Sequence, residues 1–286
     1  MKHHGTTIDT AGDFKVIDCV ECGFKHILPV PDEAELERLY SLQYHVNEKP
    51  TMFQRIEEDL PWWYMVYKEC YEFLEGYMPW YRRRLLDIGS GVGYFLKMGI
   101  ERGWFTTGIE PSKQAVDYST KIGCNVVEGF FQDKLFNDYD VVHMHEVLEH
   151  LRDPLDTLKT VYKALAKDGL VYVVVPNDYN VLQKALKRES YWVSVPWHIN
   201  YFDKESLQAL MENAGFKVIH TETTFPMEVF LFMGLDYVGN DEIGRKCHRK
   251  RMELEMTMPQ KIRQDFYKKL GELGIGREII MIGKKL

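Results

Sequence analysis

The sequence predicts an α/β protein built on a doubly wound, mostly parallel sheet, and three observations carry that prediction. From residue 84 onward, short aliphatic runs (85–88, 105–109, 125–127, 140–144, 170–175) alternate with segments of helical period (92–102, 112–122, 154–166). The run 170–175 is Leu-Val-Tyr-Val-Val-Val, without the polar alternation of a half-solvated strand, so helices are expected on both of its faces. The first run ends in Asp87-Ile88-Gly89-Ser90-Gly91-Val92-Gly93, a glycine turn that leads straight into a helix.

Taken in order, residues 1–50 read as a small N-terminal arm with a Cys19-x-x-Cys22 pair, a stop at Pro29 and Pro31, and a helix opened by Asp32-Glu33 and carried on Leu36, Leu39 and Tyr40. Residues 51–82 hold many large rings, from Phe53 through Trp62, Trp63 and Tyr67 to Tyr81, partly at helical spacing; this predicts an aromatic helical lid over a cleft. Residues 83–225 form the core, closing with a helix at 204–214, a stop at Gly215 and a strand at 216–224. Residues 226–286 read as a helical insert and a final strand at 278–283. No simple crossover links the last two strands, so they are expected to pair antiparallel at one sheet edge, with the insert acting as a cap or a homodimer contact.

A chain of 286 residues, 45% hydrophobic and 28% charged, can bury one large core with modest attachments. A mean hydropathy of −0.33, no apolar run of membrane-spanning length and an N-terminus without a leader pattern predict a soluble, cytoplasmic protein. Five cysteines, an odd count, do not suggest a disulfide framework. A net charge of −7 disfavours nucleic acid as a partner. Arg245, Lys246, Arg249, Lys250 and Arg251 form a local basic cluster that reads as a solvated helix face, because Glu253 and Glu255 follow.

The glycine turn sets the expected ligand. A dinucleotide loop, Gly-x-Gly-x-x-Gly, would place its third glycine at Tyr94, which is too large for that role. The carboxylate of Asp87 at the mouth would repel a pyrophosphate but pair with an ammonium. Glu110, 21 residues after Gly89, closes the second strand, where a carboxylate accepts ribose hydroxyls. An amino group at one end and a ribose at the other describe S-adenosylmethionine.

On these residues the segment 84–224 resembles the class I S-adenosylmethionine-dependent methyltransferases, in the small-molecule and sugar-modifying branch of Methyltransferase-23 type. The resemblance implies a Rossmann-like seven-stranded sheet with its last strand antiparallel, and a cofactor held by Asp87, Gly89, Gly91, Gly93 and Glu110. It places Phe130, Phe131 and Gln132 near the adenine and His145 near the methyl group. Two further segments are similar to the family. His145-Glu146-Val147-Leu148-Glu149-His150 looks like its Val-Leu-Glu-His segment, and Trp197-His198-Ile199-Asn200-Tyr201-Phe202 looks like a His-x-x-Tyr-Phe segment of the sugar-modifying branch.

The expected activity is methyl transfer to a small polar acceptor, with O-methylation of a sugar or sugar nucleotide foremost. A hydroxyl acceptor must lose a proton, and histidine is the natural base near neutral pH; His198 is the first candidate and His145 the second. Tyr44, Trp197 and Tyr201 are expected to face the substrate. An alternative is a metal-assisted O-methyltransferase acting on a phenol or an RNA 3′ ribose. Glu146, Glu149, His150 and His198 would be its ligands, by similarity to ubiquinone-pathway and small-RNA methyltransferases. A further alternative is a non-catalytic methyltransferase-like partner protein. In the arm, Cys19 and Cys22 form half of a zinc knuckle; His3 and His4 stand where the other pair would, and His4 and His26 are expected to complete a zinc site.

Overall fold

The computed structural model describes residues 3–32, 35–36, 52–131, 136–186 and 193–286; Tyr40, Tyr44, Gln132 and Trp192 lie outside them. The chain opens with three antiparallel strands, β1 (Gly5–Ala11), β2 (Phe14–Cys19) and β3 (Lys25–Leu28). Two helices follow, α1 (Met52–Glu58) and α2 (Leu60–Tyr77), the second carrying Pro61 in its first turn, where the missing N–H is harmless. The alternating region then gives β4 (Arg84–Ile88), α3 (Tyr94–Glu101), β5 (Phe105–Glu110), α4 (Lys113–Lys121), β6 (Val126–Glu128), β7 (Tyr139–His145), α5 (Pro154–Ala164) and β8 (Leu165–Pro176). It continues with α6 (Val181–Leu186), β9 (Asn200–Tyr201), α7 (Lys204–Asn213), β10 (Lys217–Thr223), α8 (Glu228–Phe232), α9 (Asp241–Thr257), α10 (Gln260–Glu272) and β11 (Glu278–Lys284).

Seven strands form the main sheet in the order β6-β5-β4-β7-β8-β11-β10. The first five are parallel, and β11 enters antiparallel between β8 and β10, as the sequence predicted for the final pair. Strand alternation assigns the two faces. Leu86, Ile88, Val142, Met144, Val171 and Val173 meet α5 and α7, whereas Leu85, Val141, Leu170, Tyr172 and Val174 meet α2 and α3. The aromatic segment therefore shares this layer with α3, and its Tyr71 and Leu74 are fully buried there.

The N-terminal strands form a second sheet, β1-β2-β3-β9, which the sequence reading missed. The side chains of β1 are mostly exposed, so it carries no apolar alternation to read. Pairing of Lys25 with Tyr201 and His26 with Asn200 ties this sheet to the core, and Lys25 Nζ adds a 3.0 Å ion pair with Asp203.

The insert packs on α2 through buried polar groups. Arg251 lies 4.9 Å over the Trp62 ring and 3.3 Å from Glu255, Arg245 pairs with Asp59, and Arg263 pairs with Glu69. The solvated-face reading of the basic cluster therefore holds for Lys246, Arg249 and Lys250, whereas Arg245 turns to Glu58 at the end of α1 and to Asp59 at the junction, and Arg251 turns to Glu255 on α9 itself. Leu254, Met256, Ile262 and Phe266 are exposed on α9 and α10. No described helix is long and apolar enough to cross a membrane.

Candidate active site

The glycine loop joins β4 to α3 with left-handed backbone at Gly89, Gly91 and Gly93 (φ +75°, +52° and +82°). A Cβ on Gly93 would come within 2.7 Å of Ser119 Cβ, so close packing on α4 demands glycine there. At Gly91 nothing lies within 4 Å of where a Cβ would stand, which leaves the loop open to a ligand. Glu110, 5% exposed at the end of β5, accepts from Gly91 N (2.9 Å) with one oxygen and from Ser112 N (2.8 Å) with the other. Its carboxylate is thus held in place by the glycine loop and the start of α4 together. Phe130 and Phe131 follow β6; Phe130 is exposed, and Phe131 packs on the core against Phe136 at 5.9 Å.

Asp87 is buried one strand away and accepts a 2.7 Å hydrogen bond from His143 Nδ1 on the neighbouring strand. His143 and Phe95 also line a cavity of about 720 Å³ that runs between α2, the sheet from β7 to its β10 edge, and the helical insert. Trp63 and Tyr67, stacked at 5.5 Å, form part of its α2 wall. On the sheet side His145 Nε2 stands 3.6 Å from Glu278 Oε1, whose second oxygen accepts from Thr224 Oγ1 at 3.0 Å. Burial alone would raise the Glu278 carboxyl, but His145 and the nearby guanidinium groups bring it down to about 2. Burial alone would lower His145, and the Glu278 carboxylate outweighs it, so the imidazole binds its proton more tightly than usual.

The other predicted residues sit elsewhere. Tyr201 is 1% exposed, donates to His198 O at 3.1 Å and packs with Val16, Ile27 and Tyr179; Trp197 joins the same cluster, and neither lines the cavity. His198 lies against His150 (ring centroids 4.9 Å) and does not line the cavity either, whereas His145 does.

The four-residue set of the metal-assisted alternative divides. Glu149, His150 and His198 gather their ligating atoms within 4.8 Å, but Glu146 is not among them. Its left-handed backbone (φ +53°) reverses the chain before the 3₁₀ turn Leu148–His150, so Glu146 lines the cavity while Glu149 is buried behind it. Burial, followed by the charge of Glu146, holds the Glu149 carboxyl well above the ordinary range.

In the arm, the ligating atoms of His3, Cys19, Cys22 and His26 lie within 4.8 Å of one another, so His3 takes the place predicted for His4. Successive side chains of an extended segment point to opposite sides; His4 turns outward and pairs with Glu21. His26 is 2% exposed, its Nδ1 donates to Ile27 O at 2.9 Å, and its Nε2 has no hydrogen-bond partner among the described residues. Burial and the neighbouring Cys19 push the Cys22 thiol up to about 12.

Sequence reasoning missed Glu278 and His143, and it passed over His3 in favour of its neighbour His4. Glu278 is an isolated acid in a late strand, and only the antiparallel insertion of β11 brings it to His145.

A family model described as a methyltransferase domain matches residues 51–221. The C-methyltransferase NovU of Streptomyces niveus is 24% identical over 146 residues, covering 49% of this chain and 34% of its own length. A ubiquinone biosynthesis O-methyltransferase of Saccharophagus degradans is 31% identical over 99 residues, 32% of this chain and 42% of that protein. A tRNA U34 carboxymethyltransferase of Wolinella succinogenes is 33% identical over 113 residues, 35% of this chain and 39% of its own. The chain thus matches less than half the length of each of these relatives. A SAM-dependent methyltransferase from Archaeoglobus fulgidus shares the fold, with a TM-score of 0.51 at 19% identity over 77% of this chain and 93% of that one. With more than half its length matched and the glycine loop inside the match, the chain belongs to the methyltransferase-domain family of class I, S-adenosylmethionine-dependent methyltransferases.

Proposed function

We propose that the protein methylates a small, polar, hydroxyl-bearing acceptor such as a sugar or sugar nucleotide, held in the cavity beneath α2. The observation that carries this reading is continuity: Glu110 is hydrogen-bonded to the glycine loop, and His143 both bonds Asp87 and lines the cavity wall. S-adenosylmethionine, when bound, supplies a methyl on a sulfonium whose C–S electrons return to sulfur on transfer. The chain's own groups do the rest. Glu110 holds the ribose hydroxyls, Asp87 faces the ammonium, and α2 with the insert keeps water away from the reacting atoms. His145 takes the acceptor proton; with Nε2 turned to Glu278, Nδ1 is the receiving atom. Trp63 and Tyr67 offer flat faces for the C–H surface of a sugar ring. Because Glu149, His150 and His198 lie outside the cavity, a cation among them would not touch the acceptor oxygen.

Incubation with methyl-labelled S-adenosylmethionine and a panel of free hexoses, nucleoside-diphosphate hexoses and catechols tests the assignment. Label is expected on a sugar, at a rate unaffected by added Mg²⁺. Label confined to a catechol and dependent on Mg²⁺ would overturn it in favour of the metal-assisted reaction.

The arm fits a structural zinc ion. Two thiols and two imidazoles are the donor types that a tetrahedral zinc takes, and the His26 Nδ1 bond to Ile27 O leaves Nε2 to offer its lone pair. A cation would also reverse the rise of the Cys22 thiol, since zinc takes cysteine as thiolate. Elemental analysis is expected to find about one zinc per chain, lost in Cys22→Ser together with protease resistance of β1–β3. Equal zinc in both proteins, or none after zinc loading, would contradict the site.

A further inference from the structure

We infer that His143 is a positioning residue for the methyl donor, fixing the Asp87 carboxylate so that one oxygen is committed to the protein and the other faces the donor's ammonium. The inference rests on the glycine loop being the donor site.

Asp87 and His143 are register partners on the parallel strands β4 and β7, and they are 3% and 5% exposed. His143 Nδ1 lies 2.7 Å from Asp87 Oδ1. The imidazole is packed among other rings. It stacks on Phe95 at 4.1 Å with 25° between planes, and it meets Tyr172 at 5.4 Å and His145 at 6.1 Å. Phe95 stands in the first turn of α3, so the glycine loop, the ring that holds His143 and the carboxylate it anchors form one continuous unit.

Asp87 Oδ2, by contrast, has no hydrogen-bond donor among the described residues. Oδ2 is not among the fully buried atoms left without a partner, so it keeps some exposure through which a ligand donor can reach it, and a hydrogen bond between charged groups in so enclosed a place is worth more than one in water. An ammonium group arriving beside the glycine loop supplies the missing donors. If His143 served only to satisfy a buried acid, its loss would damage the whole loop; if it aims Asp87, its loss would be felt only by ligands that carry the amino group.

Calorimetric titration with two probes separates these roles. S-adenosylmethionine carries the amino-acid end, and 5′-methylthioadenosine has the same nucleoside without it. His143→Phe keeps the stack on Phe95 and removes the donor. It is expected to weaken S-adenosylmethionine about tenfold and to leave 5′-methylthioadenosine within about twofold. His143→Asn, which restores a donor near the Nδ1 position, is expected to recover most of the loss. Asp87→Asn, which keeps the shape and removes the charge, is expected to show the same selectivity and serves as the test if His143→Phe does not fold. Equal loss for both probes, or no loss for S-adenosylmethionine, would overturn the inference. A wild-type protein that binds neither probe would instead overturn the donor-site reading beneath it.

Discussion

Replacing Glu110 by alanine is expected to weaken S-adenosylmethionine binding by about a hundredfold or more. Hydrogen bonds to a charged acceptor are worth roughly 1.5–3 kcal/mol each, and two ribose hydroxyls would lose theirs together. The same change strips Gly91 N and Ser112 N of their acceptor, so the loop loses the group that fixes its shape as well as the one that holds the ribose. Affinity measured by calorimetry should fall for both S-adenosylmethionine and 5′-methylthioadenosine, since both contain the ribose. This differs from the selective loss expected at Asp87 and His143. An affinity within about threefold of wild type would exclude Glu110 from the donor site.

The second large effect is expected at His145. Removal of a general base typically lowers the rate by about 10²–10⁴, so His145→Ala should lose kcat on that scale while donor affinity is unchanged. The pH dependence follows from the sign of the shift. His145 accepts a proton only when neutral, and Glu278 raises its pKa above the ordinary imidazole value. The rate should therefore climb with pH through a midpoint above that value and level off once the ring is neutral. Glu278→Gln removes the anion, and the midpoint should move down. A profile unchanged in Glu278→Gln, or full activity in His145→Ala, would remove the pair from the reaction. His198→Ala provides the contrast: its ring lies against His150, away from the cavity, and the same loss of kcat there would favour His198 instead.

The parts of the fold legible in the sequence are those fixed by local, repeated signals. The runs at 85–88 and 170–175 are apolar because helices cover both faces of their strands, and Asp87–Gly93 reads as a turn because left-handed backbone at three positions requires glycine. The antiparallel final pair was legible from the length of chain between its strands. Strand β1 was not, because its side chains face water and leave no period of two.

Site residues divide along the same line. Glu110 follows from its spacing after the glycine turn. His145 and Glu278 are far apart in sequence and meet only because β11 inserts beside β8, a consequence of sheet order that no local pattern encodes. His143 sits in a buried strand run and reads as core until the register brings it opposite Asp87. The choice between His3 and His4 turned on a single step of strand alternation. Trp197 and Tyr201 were read as substrate contacts from their ring chemistry, but they pack with the second sheet, which the sequence did not announce.

Titration of the wild-type and Glu110→Ala proteins with S-adenosylmethionine decides whether the Asp87–Gly93 loop and Glu110 together grip the donor. Saturable binding at about one molecule per chain, lost in the variant while its thermal unfolding stays cooperative, is the expected result. Undiminished heat of binding in the variant, or none in the wild type, would contradict it.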